Sequence, residues 1–167
     1  MAKYHAEAKS LPPSASGRPS FIRNIDEIPE EAYERGGATG IAGASKDVGG
    51  AVGTRLLGLD VTVIPPGRKS SYLHRHSLKE EFFYVLSGHC RVRVGAAEYD
   101  LRPGDAVSRP AGAPEPHQFF NPFEEPCSVM MIGVMAGRGV CDVVEWPELK
   151  RILEIDERGE RKISRMG

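Results

Sequence analysis

Residues 82–101 read FFYVLSGHCRVRVGAAEYDL. The opening apolar run ends at a turn at Gly88. In CRVRV, Cys90, Val92 and Val94 alternate with Arg91 and Arg93, the period of two by which a strand shows one face to a core and the other to water. Gly95 and Ala96 then reverse the chain into AEYDL, which predicts a hairpin.

The same texture extends both ways. Upstream, LGLDVTVIPPG (57–67) sets Leu57, Leu59, Val61 and Val63 against Asp60 and Thr62 and closes on Pro65, Pro66 and Gly67. Downstream, RPGD (102–105) is a turn, and AVSRP, HQFF and SVMMIGV are further short strands. No segment between Thr54 and Val144 carries a helical period. Roughly six to nine short strands, spaced about 8–12 residues apart, predict an all-β sandwich or barrel.

This core is expected over residues 54–146. Residues 1–20, rich in Ser, Pro, Ala and Lys, are expected to be a mobile arm. Residues 21–53 are expected to be an irregular lead-in, in which Pro29 starts a helical turn that Gly36 and Gly37 stop. The Gly- and Ala-rich stretch 36–53 reads as a loop. In the tail, residues 147–167, the spacing of Leu149, Ile152 and Leu153 predicts a short outer helix.

The chain has 167 residues and a formal net charge of −1, so nothing in its overall charge argues for nucleic acid or an anionic membrane as partner. No apolar run approaches the length of a membrane span, and the first residues lack the apolar core of a secretory signal. Cys90, Cys127 and Cys141 lie far apart with no CxxC pair, which reads as buried or half-buried thiols in a reducing compartment. The expected location is the cytoplasm.

Chemistry concentrates in YLHRHSLKEEFFYVLSGH, residues 72–89. On a strand, residues two apart project together, so His74 and His76 can present a nitrogen each to one ion. A carboxylate from the next strand would extend the site, and Glu80 and Glu81 are both candidates. If Glu81 faces inward, Phe83 and Val85 share its face; if Glu80 does, Phe82, Tyr84 and Leu86 do. Both sets are apolar, so hydrophobic pattern leaves the choice open. Thirty residues on, RPGDAVSRPAGAPEPHQFFN brings His117 to the start of another strand.

At these residues the sequence resembles the cupins. Their first motif has a glycine, five residues, His-x-His, three or four residues, a glutamate, six residues and a glycine. Gly67, His74, His76, Glu81 and Gly88 match it, with six residues after Gly67. The spacing to Gly88 selects Glu81 over Glu80. In the second motif Gly104, Pro110, Gly112, His117 and Asn121 match, with four residues rather than two between Gly112 and His117.

The resemblance implies a jelly-roll β-barrel with one divalent metal ion held by His74, His76, Glu81 and His117. Two open positions on a six-coordinate ion suit iron, manganese, nickel or copper, and zinc at lower coordination; ligand identity does not name the metal, and iron or manganese is expected first, then zinc or nickel. Members of this kind commonly form homodimers. The expected activity is that of a metal-dependent oxygenase or isomerase on a small oxygen-chelating metabolite. The alternative is a non-catalytic ligand-binding or sensing module with a structural metal.

Strand parity places Tyr72 with the first two histidines, Phe83 with Glu81 and Phe119 with His117, as candidate substrate-binding residues. Glu115, two residues before His117 and flanked by Pro114 and Pro116, is the candidate catalytic base. Tyr84 has the opposite parity to Glu81 and is expected to pack in the core.

Overall fold

The computed structural model describes residues 17–36 and 39–167. In chain order its strands are β1 (Glu31–Arg35), β2 (Ile41–Asp47), β3 (Leu57–Ile64), β4 (Arg75–His76), β5 (Glu81–Ser87), β6 (Cys90–Val94) and β7 (Ala97–Leu101). There follow β8 (Ala106–Arg109), β9 (His117–Phe120), β10 (Cys127–Val134), β11 (Asp142–Trp146), β12 (Arg151–Ile155) and β13 (Arg161–Arg165). One helical turn and a half, α1 (Val48–Val52), joins β2 to β3.

All pairings between these strands are antiparallel. Six strands form one sheet in the order β1-β2-β3-β10-β5-β8. A second sheet runs β13-β12-β11-β4 and a third β7-β6-β9. The last two are linked where His74 and His117 exchange backbone hydrogen bonds of 3.1 and 2.7 Å. The expected all-β barrel of jelly-roll type is the observed fold.

Local chemistry explains the turns. Val94 pairs with Ala97, leaving a two-residue loop whose first residue, Gly95, has φ +58°. Glycine takes that angle without a Cβ penalty, and the resulting turn matches the twist of its strands. Gly88 has φ +69° and lies so close to the carbonyl of Pro126 that a Cβ would not fit.

β5 alternates strictly. Glu81, Phe83 and Val85 are buried, whereas Phe82, Tyr84 and Leu86 are exposed. Tyr84 is therefore not a core residue, because the outer face of this sheet faces solvent. Inward residues from the sheets form one apolar cluster: Ile64, Phe83, Val85, Cys90, Val92, Leu101, Phe119, Cys127 and Val129. Cys90 and Cys127 are buried free thiols and Cys141 is half-buried.

Three regions depart from expectation. The stretch 36–53 is not simply a loop, since it holds β2 and α1. Its small residues suit close packing, because a Cβ at Gly43 would lie 3.0 Å from the Tyr33 hydroxyl of β1. Pro29 does not start a helix; a 3-10 turn precedes it at Ile25–Glu27, where Asn24 accepts from the Asp26 N–H, and β1 follows.

The tail forms no α-helix. A 3-10 turn at Pro147–Leu149 ends on Lys150 at φ +51°, and β12 and β13 then make a hairpin. Asp156 closes it by accepting from the N–H groups of Arg158 and Glu160, so local turn chemistry prevails over apolar spacing. The expected arm lies outside the described residues except for its last four.

Candidate metal centre and cavity

Three chain segments meet at one end of the barrel. Residues 72–76 run alongside the start of β9, which sets His74 beside His117. His76 lies on β4, paired with Val144 of β11. Glu81 opens β5, with its side chain turned toward all three rings, whereas Glu80 is exposed.

The Glu81 Oε2 oxygen is 3.1 Å from His117 Nε2, 3.5 Å from His76 Nε2 and 3.9 Å from His74 Nε2. Partners on the far side of two rings fix which nitrogen is free. His74 Nδ1 donates to the Tyr72 carbonyl at 2.8 Å, and His76 Nδ1 donates to Asp142 Oδ2 at 2.5 Å. Each Nε2 therefore keeps its lone pair toward the centre. Asp142 is itself 1% exposed and accepts the N–H groups of Leu78 and Lys79.

Burial, with the neighbouring His117, pushes the His74 ring down to about 3. Burial also lowers His117. Both imidazoles are thus neutral near pH 7, the form that binds metal. Burial would raise Glu81, but the adjacent His117, Lys79, His76 and His74 outweigh it and hold the carboxyl well below the usual range. Lys79 Nζ lies 2.9 Å from Glu81 Oε1.

Glu81 Oε2 and His117 Nε2 are buried and, although close, are not aligned for a hydrogen bond with each other or any other group. Buried polar atoms left in this way are costly. A cation between the rings and the carboxylate would satisfy them. The ligand atoms of His74, His76 and Glu81 all lie within 4.8 Å of one another. Three imidazoles and a carboxylate suit a first-row divalent ion.

From this cluster opens a cavity of about 320 Å³. His74, His76 and Glu81 form its floor, and Tyr72, Asp60, Met131, Val144, Trp146 and Leu153 stand on its walls. Phe83 and Phe119 do not line it. They stack at 4.5 Å between ring centroids inside the apolar cluster, with Phe83 5.4 Å from the His117 ring, and so support the centre from below. Glu115 borders a narrow crevice on the other side of the site. Its carboxylate is exposed and 3.9 Å from Arg109, and its backbone carbonyl accepts from the same guanidinium.

Three groups of the site escaped the sequence reading. Asp60 was set on the polar face of its strand, yet that face is the inner one, since Ile64 of the same parity is in the core. A signal existed: an apolar residue continues the polar side. Burial, with Asp47 adding, raises the Asp60 carboxyl to about 6. Lys79 shares the parity of Glu81, a weaker signal. Asp142 lies far from both motifs, and nothing in its own neighbourhood marks it.

Residues 60–133 match the family model for the cupin domain, and the chain belongs to the cupin superfamily. A solved structure from Acidithiobacillus ferrooxidans, named as a candidate sugar phosphate isomerase, superposes with a TM-score of 0.79 at 29% identity, over 88% of this chain and 93% of that one. A cupin named as a sugar phosphate isomerase from Silicibacter pomeroyi gives 0.75 at 24% identity, over 86% and 92%. The polyketide cyclase of Streptomyces resistomycificus gives 0.56 at 20%, over 68% and 78%, and shares the fold. No curated protein matches the sequence. Among the described residues no helix is long and apolar enough to cross a membrane.

Proposed function

We propose that this cupin is a divalent-metal-dependent isomerase that interconverts the aldose and ketose forms of a small sugar phosphate. The observation that carries the reading is one cavity floored by three members of a four-donor cluster and walled by a carboxylate that the cluster does not use. The cluster is His74, His76, Glu81 and His117, and the spare carboxylate is Asp60. The Acidithiobacillus protein, alike over nearly the whole of both chains, supports the substrate class.

When bound, the ion, iron or manganese before zinc or nickel, would supply a Lewis acid to polarise the substrate carbonyl. The chain's residues do the rest. His74, His76 and His117, each through its Nε2, and anionic Glu81 would hold it, and Asp142 fixes the His76 ring. Tyr72 and Trp146 narrow the cavity around the substrate.

Asp60, titrating near 6, is matched to proton transfer at neutral pH. It takes the proton from the hydroxyl-bearing carbon and returns it to the former carbonyl carbon. The hydroxyl proton passes to the former carbonyl oxygen. The carbonyl moves by one carbon and no outside oxidant is consumed. Glu115, exposed and tied to Arg109, is less suited to this step. The reading includes a homodimer, which sedimentation at several protein concentrations checks.

Proton NMR of the metal-loaded protein with aldose phosphates in heavy water tests the reaction. Interconversion with deuterium entering the carbon next to the carbonyl is expected, and Asp60→Asn should abolish it while keeping the metal. Oxygen consumption without interconversion would place the protein among oxygenases. Ligand-dependent thermal stabilisation without turnover would make it a binding module.

A further inference from the structure

Arg35 and Arg161 stand on the rim of the cavity, and neither belongs to the segment that matches the cupin domain. Arg35 ends β1 and Arg161 begins β13, so the additions at the two ends of the chain each bring one guanidinium to the same opening. The other arginines near the site are committed. Arg75 binds Glu145 at 2.6 Å and the Pro114 carbonyl, and Arg109 binds the Glu115 backbone.

Among the described residues the Arg161 guanidinium has no ion pair or hydrogen bond, and the Arg35 guanidinium has only the Tyr33 ring, 5.9 Å away. Leaving two cations unpaired at a cavity mouth gives no stability. It leaves donors ready for an anion.

The sheet sets the distance. Asp142, Ile155 and Arg161 lie directly opposite one another across β11, β12 and β13, so their side chains share a face. Two strand spacings separate the Arg161 Cα from that of Asp142, about 10 Å. Asp142 in turn holds His76. The wall between, Val144, Leu153 and Ile155, is apolar and offers no competing anion.

We infer that Arg35 and Arg161 form a phosphate subsite. It grips the far end of a substrate whose carbonyl and hydroxyl oxygens face the histidines. A phosphate monoester carries a charge near −2 at neutral pH and three acceptor oxygens, enough to engage two guanidinium forks at once. The inference rests on the sugar-phosphate reading of this cavity and names the residues that would select the phosphate.

The test is isothermal titration of the metal-loaded, full-length protein with three matched pairs: erythrose 4-phosphate and erythrose, ribose 5-phosphate and ribose, glucose 6-phosphate and glucose. At least one ester is expected to bind about tenfold or more tightly than its parent sugar. Arg35→Gln and Arg161→Gln should each remove most of that difference, with metal content and parent-sugar affinity unchanged. Arg161→Lys, which keeps the charge but loses the fork, should restore part of it.

The subsite is overturned if no ester outbinds its sugar, or if the glutamine variants keep the preference. Turnover is read separately by NMR on the same samples. Arginine-dependent preference without interconversion leaves the subsite standing and sinks the isomerase. Interconversion without that preference does the reverse.

Discussion

The two ends of the barrel are built from the same three strands and do opposite things. At the closed end the inward residues of β3, β10 and β5 include Ile64, Cys127, Val129 and Val85, each 1% exposed or less, with buried Thr62 opposite Val129. Two rows above Val129 and Val85, the residues opposite one another on these strands are Gly58, Gly133 and Glu81. Asp60, Met131 and Phe83 form the row between. Across this short climb, close-packed aliphatics give way to bare backbone and one carboxylate. Packing is spent at one end so that the other can stay open. A Cβ at Gly133 would collide with the Lys79 side chain, which crosses that gap to reach Glu81.

If the ends are separable, damage to one should spare the other. The largest effect is expected from Glu81→Gln. Loss of the only anionic ligand in the cluster should drop bound metal, measured by elemental analysis, from stoichiometric to background, and turnover with it. Circular dichroism should still report the β-fold. A protein that unfolds instead would show that the open end is part of the folding core.

The converse cut is Ile64→Ala. It removes fully buried apolar volume and should cost about 2–5 kcal/mol in urea unfolding. Metal stoichiometry should persist while the protein stays folded. Loss of metal from a folded variant would mean that strain travels the length of the barrel.

How these ends read in the sequence differs for the same physical reason. The closed end was legible, because close packing demands alternation and turn residues, and CRVRV, Gly95 and Gly88 carry both. The metal cluster was legible through spacing, since two histidines on one strand and a glutamate at fixed distance from a turn leave a regular trace. The cavity wall was not. Asp60 looked like an outward residue, because polarity ordinarily marks the solvent side, and only the parity of Ile64 said otherwise. The walls from β11 to β13 gave a misleading trace: Leu149, Ile152 and Leu153 mimic a helical stripe, while the hairpin is dictated by Asp156 and Gly159. Asp142 reaches His76 only through sheet pairing, which no local pattern encodes.

Asp142→Asn tests that long-range contact. The amide cannot accept and orient the His76 Nδ1–H as a carboxylate does. Metal affinity should weaken about 10–100-fold in competition with a chelating dye. Unchanged affinity would mean that the ring is positioned by β4 alone.

The smallest effect concerns the row between the ends. Burial, with Asp47 adding, holds the Asp60 carboxyl near 6, above its ordinary 3.8. The folded state therefore keeps a proton that the unfolded chain releases. Asp60's contribution to stability is fully present below about pH 4 and is lost as pH rises through 6. His74, held near 3 by burial and by His117, acts the other way, since the unfolded chain binds a proton there that the folded one refuses. The curve of the metal-free wild type mixes the two. Subtraction of the Asp60→Asn curve isolates the carboxylate. In urea unfolding from pH 4 to 7, wild type should lose ground steadily against the variant. A flat difference would show that Asp60 is as well solvated in the fold as in the open chain, and the row would then belong wholly to the open end.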